Sequence, residues 1–422
     1  MLLAVLLSGS TVSHGAAALP ATMRAVRSAA PGCGAPDFGC VHVVASVPTP
    51  VPLAGEVLLR VNGSSCGVTD VHEAGQHPWS PLGPQRILGY NVAGTVAAVG
   101  TGVTRLKLGD PVWTILGGRG MGAGAWAEYV NVSAEGAALF PPTLGVPLGT
   151  AATLVGPALT DWFAFAAAGA PWFAFHTATP TAVIVSGSGG TGYVAVQLVK
   201  ALGITKVVTA ATGADTIAWV KSLGADVVVD YKVQEALAAV PDDSIDLVFD
   251  NYGAAATPDL AMRKLRVGGI YLSIVNTHFA TKPKPGVKQM YFELPDTLGG
   301  NEIRKRQALE NIAELIATGA LKAYVQETFT LEAAPAALAK VAAGGVVSKL
   351  AITTAKKSDD ESSATRKPPA VDPVEWFACR PGYWPCIFNP RPTWKTTYKM
   401  YKSISMQVCN FSGYQDPSSV SK

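Results

Sequence analysis

The amino-acid sequence predicts an α/β protein in which a β-rich, barrel-like domain accompanies a doubly wound parallel sheet. Three observations support this fold class. Short apolar runs separated by glycine and proline fill residues 23–150. From residue 151 onward, apolar β-branched runs alternate with segments of helical periodicity, which is typical of a parallel sheet covered by helices. The third observation is a cluster of glycines at residues 187–192, directly after the first of these apolar runs.

The first domain, residues 23–150, is predicted from its short strands. They are Met23–Ser28, Val41–Val47, Glu56–Val61, Gly94–Val99, Pro111–Ile115 and Ala127–Val130. Near the other end of the chain, residues 303–318 form an amphipathic pattern, and residues 325–353 predict a helix and two short strands. We therefore expect residues 301–354 to return to the first domain and complete it.

The second domain, residues 151–300, is predicted from buried strands joined by helices, the pattern of a parallel, doubly wound sheet. Helices are expected over residues 191–202, 215–223 and 258–265. Residues 276–300, which carry Lys, Pro and Gly, are predicted to form a loop. The predicted strands are Ala182–Ser186, Lys206–Ala211, Val227–Asp230, Ile245–Asp250 and Ile270–Val275.

Charge and hydropathy narrow the class of partner. The chain has 33 Lys and Arg against 30 Asp and Glu, and a net charge of +3 is too small to indicate a nucleic-acid partner. Hydrophobic residues make up 49% and charged residues 15%, which favours a globular chain with a large core. Outside an alanine-rich region broken by Gly and Pro at 151–185, no run reaches the roughly 18 apolar residues of a membrane span, so no transmembrane helix is predicted.

The two ends of the chain are predicted to lie outside the folded domains. Residues 1–22 contain the apolar run Leu2–Leu7 followed by small residues, and they form either a signal peptide or a disordered extension. A signal peptide would place the protein in the secretory pathway or an organelle lumen, and its absence would leave the protein cytoplasmic. Residues 355–370 are predicted to be a linker, and the aromatic tail at 371–422 has no predicted fold.

The six cysteines do not decide between an oxidising and a reducing compartment. Cys33 and Cys40 flank a turn between two predicted strands, where a disulfide would clip a hairpin, and Cys379 and Cys386 repeat the same separation in the tail. An even count fits an oxidising compartment. Six thiols in a chain of this length fit a reducing one equally well.

The glycine cluster satisfies G-x-G-x-x-G, the pattern of dinucleotide-binding turns, whose glycines allow a tight turn and close approach of the backbone to a diphosphate. The cluster follows a predicted strand and opens a predicted helix, so the free N–H groups of the helix point at the ligand. A glycine-rich turn without a ligand is the simpler alternative. The predicted cofactor contacts are Gly187, Ser188, Gly189, Gly190, Thr191 and Gly192.

The end of the second parallel strand bears on the choice between NADP and NAD. Proteins that bind NAD carry a carboxylate there, about 20 residues after the glycines, which accepts hydrogen bonds from the ribose 2′-hydroxyl. Residues 209–212 of this chain are Thr-Ala-Ala-Thr, which include no carboxylate. The nearest acid, Asp215, is predicted to cap the next helix. We therefore predict NADP(H), with NAD(H) less favoured, although this turn has no Arg or Lys for a 2′-phosphate. Tyr231 is predicted to line the phosphate pocket.

Several further segments share the pattern of one enzyme family: Leu88–Val96, Leu108–Val112, Gly124–Tyr129, Ser222–Asp226 and Gly345–Lys349. Over residues 23–354 the chain resembles the medium-chain dehydrogenase/reductase superfamily, and within it the zinc-independent quinone oxidoreductase and enoyl reductase-like branch. The resemblance implies a GroES-like catalytic domain split around a Rossmann domain, with the active site in the cleft between them. It also implies that Thr160 lies beside the nicotinamide and that Asn251 borders the cofactor.

The same resemblance bears on metal binding. Zinc-dependent relatives place a Cys and a His-Glu pair at positions that hold Gly67, Tyr90 and Asn91 in this chain. The short glycine-rich run at 117–124 also replaces the segment in which those relatives carry four structural cysteines. Because catalytic zinc requires three protein ligands from separate segments, we predict no zinc and no other metal.

Without a metal, hydride transfer requires hydrogen-bond donors for the developing oxyanion. Enoyl reductase relatives carry a Tyr before a Pro in the loop after the Asp70 position, and the matching residue here is His77, which can donate a proton near neutral pH. A solvated, idle loop histidine is the alternative. Tyr90 is the second predicted donor, and a cleft-wall aromatic is its alternative. Gly67 stands where quinone reductase-like members often carry Asn, a departure from the pattern of that branch.

The predicted function is therefore the reduction of a quinone or an α,β-unsaturated carbonyl by NADPH, with a small molecule as substrate. The alternative is a nucleotide-binding scaffold or sensor with little turnover, and a zinc alcohol dehydrogenase ranks third. The sequence is compatible with a homodimer but does not fix the oligomeric state.

Overall fold

A computed structural model describes residues 19–28, 33–74, 86–116, 124–170, 177–275, 279–294 and 301–355. All of these residues belong to one unit of the chain, Met1–Pro369. His77, Cys379, Cys386, residues 1–18 of the predicted N-terminal segment and the aromatic tail lie outside the described residues. The last residue of that predicted segment, Thr22, belongs to the first strand.

The first lobe is built from antiparallel strands. β1 (Thr22–Ser28) pairs with β2 (Val41–Pro48) as a two-stranded ribbon. A second sheet is built around β3 (Glu56–Cys66), the longest described strand. Buried residues of β3 belong to two separate core clusters of the first lobe. A short helix, α1 (Val68–Ala74), follows β3. The other strands of this region are β4 (Asn91–Val99), β5 (Pro111–Ile115), β6 (Tyr129–Ser133) and β7 (Ala138–Leu139).

The second lobe is a parallel sheet of six strands in the order β10-β9-β8-β11-β12-β13. The chain order reverses between β8 and β11, which is the point where open α/β sheets bind ligands at the carboxyl ends of their strands. The strands are β8 (Thr181–Ile184), β9 (Lys206–Ala211), β10 (Val227–Asp230), β11 (Ile245–Asp250), β12 (Leu265–Ser273) and β13 (Lys288–Tyr291). The helices between them are α3 (Gly192–Ala201), α4 (Ala214–Ser222) and α5 (Thr257–Lys264).

After the parallel sheet the chain returns to the first lobe. α6 (Glu302–Ala317) is followed by β14 (Glu327–Thr330), α7 (Ala334–Ala343) and β15 (Leu350–Thr353). β15 pairs antiparallel with β3, so the seven-stranded sheet takes the order β14-β15-β3-β4-β5-β7, with β6 paired to β3. The predicted fold class is confirmed: a GroES-like β-rich domain and a Rossmann-like parallel sheet.

The helix α2 (Leu148–Ala168) joins the two lobes. It packs against β3, β4 and β5 on one side and against α3 on the other. Its residues belong to a core cluster that contains Trp113 of the first lobe and Phe249 of the parallel sheet. Among the described helices, only α2 has the length and hydropathy of a membrane span, and 72% of its most apolar window is buried within the fold.

One sequence prediction was wrong in part. Residues 276–300 were expected to form a loop, but Lys288–Tyr291 form β13, the edge strand beside β12. The segment Lys-Gln-Met-Tyr lacks an apolar run because both strand faces at this edge are partly exposed, so it shows no buried-strand pattern.

The disulfide suggested by the sequence is present at the first cysteine pair. Cys33 and Cys40 are bonded, with Cα atoms 5.6 Å apart, a separation that disulfides favour. Cys33 and the neighbouring Phe38 are buried in the same core cluster of the first lobe. The bridge therefore fastens the segment that leads into β2 onto that core.

Candidate active site

The four glycines of the turn differ in the space around them: two are closely packed against neighbouring atoms of the same sheet, Gly190 lies against the Lys349 side chain, and Gly189 is open. A Cβ atom on Gly192 would lie 1.7 Å from the carbonyl oxygen of Ser186, and one on Gly187 would lie 2.4 Å from Oγ1 of Thr209. No real side chain fits at those distances, so packing alone requires glycine at both positions. A Cβ atom on Gly189 would meet only the Ser186 hydroxyl oxygen, 3.7 Å away. The backbone at Gly189 is thus open to a ligand, as a diphosphate requires.

Two features fit this turn to an anion. α3 begins after Thr191 with no side chain capping its first N–H groups, of which the Tyr193 N–H already donates to the Gly189 carbonyl at 3.1 Å. The positive end of the helix dipole still favours an anion here. Asn251, at the carboxyl end of β11, holds the turn in place: its amide oxygen accepts from the Ser186 N–H at 3.0 Å, and its amide nitrogen donates to the Ser186 carbonyl at 2.8 Å. Asn251 therefore supports the predicted cofactor turn through backbone hydrogen bonds.

The corner beside the turn contains a carboxylate that the sequence analysis missed. Asp230 accepts hydrogen bonds from the Thr212 hydroxyl at 2.8 Å and from the Lys232 N–H at 3.0 Å. These bonds, the Lys232 N–H first, hold the pKa of Asp230 below its usual value, so it remains ionised. Asp230 is the last residue of β10, and the parallel register places it beside Ala211, the last residue of β9. This strand register is the signal by which Asp230 could have been predicted. The predicted pocket residue Tyr231 follows it and is 51% exposed.

The cleft side of the site contains Tyr90, whose hydroxyl is bonded to Glu73. Burial, and then the Glu73 carboxylate, raise the pKa of Tyr90 above its ordinary value. Glu73 in turn forms an ion pair with the buried Arg86. The phenol therefore stays protonated at neutral pH and is held in one orientation.

Two further predicted positions lie nearby in the fold. The Asn91 side chain is buried and donates to the Ser65 hydroxyl at 2.7 Å, while its backbone carbonyl accepts from the Ser64 hydroxyl at 2.6 Å. Asn91 thus joins β4 to β3 beneath α2, where a Cβ atom on Gly156 would lie 2.7 Å from its Oδ1. Thr160 lies on α2 and is partly exposed.

A charged side chain from the residue before β15 reaches this part of the fold. Lys349 lies against Gly67 and Asp70, and the Asp70 carboxylate accepts from the Gly67 N–H at 2.8 Å. Burial raises the pKa of Asp70 to about 7, against the opposing effect of Lys349. Burial likewise lowers the pKa of Lys349. Sequence analysis did not predict a role for Lys349, because the residue stands out there only as the last position of the family segment Gly345–Lys349.

The fold and this site together define a class of protein, a two-lobed oxidoreductase whose nucleotide turn faces the catalytic lobe. A quinone-oxidoreductase of Triphysaria versicolor, the chloroplastic QR1, is 31% identical over 343 residues, which cover 78% of this chain and 98% of that protein. The chain belongs to the medium-chain dehydrogenase/reductase superfamily, in its quinone oxidoreductase-like branch.

Other comparisons agree with this membership. The profile of the alcohol dehydrogenase GroES-like domain matches residues 53–142, and that of a zinc-binding dehydrogenase family matches residues 223–352. The mitochondrial NAD(P)H oxidoreductase RTN4IP1 of Bos taurus is 27% identical over 329 residues, covering 70% of this chain and 81% of that protein. An alcohol dehydrogenase superfamily structure from Novosphingobium aromaticivorans has 25% identity and a TM-score of 0.65, covering 79% of this chain and all of that one.

The zinc in the second profile's name raises the question of metal ligands. Within the described ranges, no group of three or more His, Cys, Asp or Glu side chains is placed to hold a metal ion.

Proposed function

We propose that the protein uses NADPH to reduce a quinone or an α,β-unsaturated carbonyl, without a metal. The open backbone at Gly189 is the observation that carries this proposal, and the next residue of the turn, Gly190, lies against Lys349 of the catalytic lobe. The Ser348 N–H donates to the Ser188 carbonyl at 2.8 Å, so the nucleotide turn and the catalytic lobe meet directly. The name of the chloroplastic QR1 supports a quinone as one substrate class.

Residues of this chain would bind the cofactor and stabilise the charge that develops on the substrate. The first N–H groups of α3 and the open face of Gly189 would hold the diphosphate, and Asn251 fixes the turn that presents them. When bound, the nucleotide supplies a hydride from its nicotinamide ring. Side chains must then stabilise the negative charge on the substrate oxygen, because Gly67, Tyr90 and Asn91 offer no thiolate, imidazole or carboxylate for a zinc ion.

A substrate panel tests the proposal. Purified protein is mixed with NADPH and a series of quinones, enals and enones, and loss of the reduced-nicotinamide absorbance is followed. We expect turnover with at least one acceptor class, and zinc-free protein should be as active as the untreated sample. Tight NADPH binding without oxidation by any acceptor would instead support the scaffold alternative.

We propose NADPH as the preferred nucleotide, with Asp230 limiting that preference. An ionised carboxylate at this corner repels a 2′-phosphate, which should weaken NADPH binding roughly fivefold. Asp230→Asn should therefore tighten NADPH binding about fivefold and leave NADH binding nearly unchanged, as measured by fluorescence titration. Asp226→Asn, just before the same strand, is the matched control. Unchanged NADPH affinity in Asp230→Asn would remove Asp230 from the site.

The remaining predictions stay proposals. Two of the relatives named above, from Bos taurus and Triphysaria versicolor, are mitochondrial and chloroplastic, which supports organelle targeting of this chain. His77 as a proton donor and the homodimer are untested by the described residues.

A further inference from the structure

The Cys33–Cys40 disulfide has one buried and one accessible half. Cys33 is 3% exposed and belongs to a core cluster of the first lobe, whereas Cys40 is half-buried. The loop that the bridge closes is exposed at residues 35–37 and at Gly39. The Cys40 side of the bridge is therefore the side that a reductant in solution can reach.

The bridged loop has one large anchor, Phe38. Its side chain is fully buried, although its backbone φ of 51° lies in the left-handed region that residues other than glycine avoid. The backbone bonds of Phe38 are local: its N–H donates to the Gly34 carbonyl at 3.2 Å, and its carbonyl accepts from the Val41 N–H at 2.8 Å. The burial of Phe38 and the disulfide therefore hold this loop in place.

The loop shares its core with the end of α1. Cys33 and Phe38 lie in one cluster with Ala74, the last residue of α1, and with residues of α7. The helix α7 packs against both β2 and α1. At the end of β1, the Ser28 hydroxyl donates to the Ala74 carbonyl at 3.0 Å. The segment that contains the bridge is therefore joined to α1 by packing and by a hydrogen bond.

The end of α1 in turn orients the phenol of the catalytic lobe. Glu73 is bonded to the Tyr90 hydroxyl and forms an ion pair with Arg86. Trp126, a member of the same core cluster, packs against Gly89, the residue before Tyr90, so closely that a Cβ atom there would have no room. A loss of order in the bridged loop can thus reach Tyr90 through Glu73 and through Trp126.

The third described cysteine does not compete for the bridge. Cys66 is a free thiol buried in the same cluster. Burial, and then the Asp70 carboxylate, raise the pKa of Cys66 above its ordinary value. Because the exchange of thiols with disulfides requires a thiolate, Cys66 stays inert at neutral pH.

We propose that the Cys33–Cys40 disulfide is a reversible redox site, at which a dithiol reductant opens the bridge and thereby lowers the activity of the catalytic lobe. Reduction frees the loop around Phe38, loosens α1 and leaves Tyr90 less firmly oriented. The opening of the bridge does not depend on the proposed function, whereas its effect on turnover rests on that function.

The exchange takes place in two steps. A thiolate of the reductant attacks the Cys40 sulfur, the S–S bond breaks, and Cys33 leaves and takes a proton from solvent. The second thiolate of the reductant then attacks the mixed disulfide and releases Cys40, which takes the second proton. Two electrons pass to the protein, and the dithiol is oxidised to a disulfide.

The first test follows the thiols of the native, full-length protein. The protein is treated with millimolar dithiothreitol, blocked with iodoacetamide and mapped by mass spectrometry. We expect Cys33 and Cys40 to be unlabelled before reduction and labelled after it. They should be bonded again after exchange into oxidised glutathione, with Cys66 unlabelled throughout.

The second test measures the effect of reduction on the fold by hydrogen–deuterium exchange. Reduction should speed exchange at least tenfold in residues 33–40 and in α1, and leave α3 unchanged. The double variant Cys33→Ser/Cys40→Ser should reproduce the reduced protein and melt about 5 °C below the oxidised one. If this variant does not fold, the reversibly reduced wild-type protein supplies the same comparison. The matched control, Cys379→Ser/Cys386→Ser/Cys409→Ser, keeps the bridge and should respond to dithiothreitol like wild-type protein.

The third test measures turnover after dithiothreitol has been removed under nitrogen, so that it cannot reduce the acceptor itself. With the best acceptor of the substrate panel, reduction of the bridge should lower kcat about fivefold, because misplaced groups lose rate steeply. NADPH affinity should stay within twofold. Protein that turns over no acceptor in either redox state would contradict the proposed function, and the exchange measurement would then decide the inference.

Three outcomes would overturn the inference. One is a bridge that resists dithiothreitol until the protein is denatured. Another is equal hydrogen exchange of α1 in the oxidised and reduced states. The third is a tail-cysteine variant that no longer responds to dithiothreitol, which would assign the redox response to the tail.

Discussion

Replacing Gly192 by alanine should weaken nucleotide binding at least 100-fold and destabilise the protein by about 3 kcal/mol or more. The new Cβ atom would lie 1.7 Å from the Ser186 carbonyl oxygen and 3.0 Å from Nδ2 of Asn251. Both contacts are fixed, because Asn251 bonds the Ser186 backbone in two places. Relief therefore requires a shift of the turn itself, and overpacking of this kind costs about 1–3 kcal/mol before any backbone hydrogen bond is lost. A displacement of about 1 Å should lower nucleotide affinity at least 100-fold.

Two other alanine substitutions separate packing from ligand contact. Gly189→Ala has open space for its methyl group, so the thermal midpoint should stay within about 2 °C of wild type while NADPH affinity falls. Gly34→Ala, where no atom lies within 4 Å of the new Cβ, is the control for both measurements. If Gly192→Ala melts and binds NADPH like wild-type protein, the turn does not have the geometry described above.

Replacing Asp161 by alanine should stabilise the protein, and the gain should grow with pH. Asp161 lies on α2 with no exposed surface, and neither carboxylate oxygen has a hydrogen-bond partner among the residues described. Burial raises the pKa of Asp161 well above its ordinary value. The folded chain therefore holds a proton that the unfolded chain releases above about pH 4.

The sign of the pH dependence follows from that shift. A raised folded-state pKa gives stability that is complete below the unfolded pKa and is lost as pH rises through the folded pKa. The loss is about 1.4 kcal/mol for each pH unit above about 4 until the folded pKa is reached. Asp161→Ala removes this loss, so its gain in stability should be larger at pH 7 than at pH 4.

Urea unfolding at several pH values measures this gain. Asp215→Ala, an exposed acid in the first turn of α4, is the matched control and should change stability by about 0.5 kcal/mol or less at every pH. Destabilisation by Asp161→Ala at pH 7, or a gain that does not depend on pH, would show that the carboxylate is ionised and partnered in the folded chain.

The fold class and the nucleotide turn could be predicted because local patterns encode them. Buried parallel strands are apolar along their whole length, and a glycine turn requires its residue types within six consecutive positions. β13 was missed because an edge strand is partly exposed and carries no such pattern. Local patterns therefore specify the interior of the sheet better than its edge.

The chemistry of the site depends on residues that are distant in sequence. Asp230 lies beside Ala211 through strand register, and Lys349 reaches Gly67 only because β15 pairs with β3. A scan for carboxylates along one strand, or for donors near the Asp70 loop, cannot detect such pairings. Gly67 stands where related proteins often carry Asn. Its lack of a side chain is explained only by the Lys349 side chain, which occupies the space beside it.

The helix α2 has a consequence for how the molecule holds together. Neither lobe closes its hydrophobic interior alone, because the same helix supplies apolar side chains to both. Cutting the chain at the border between the two sheets would strip that shared surface from at least one of the fragments. We therefore expect either fragment, produced alone, to expose apolar surface that the whole chain covers.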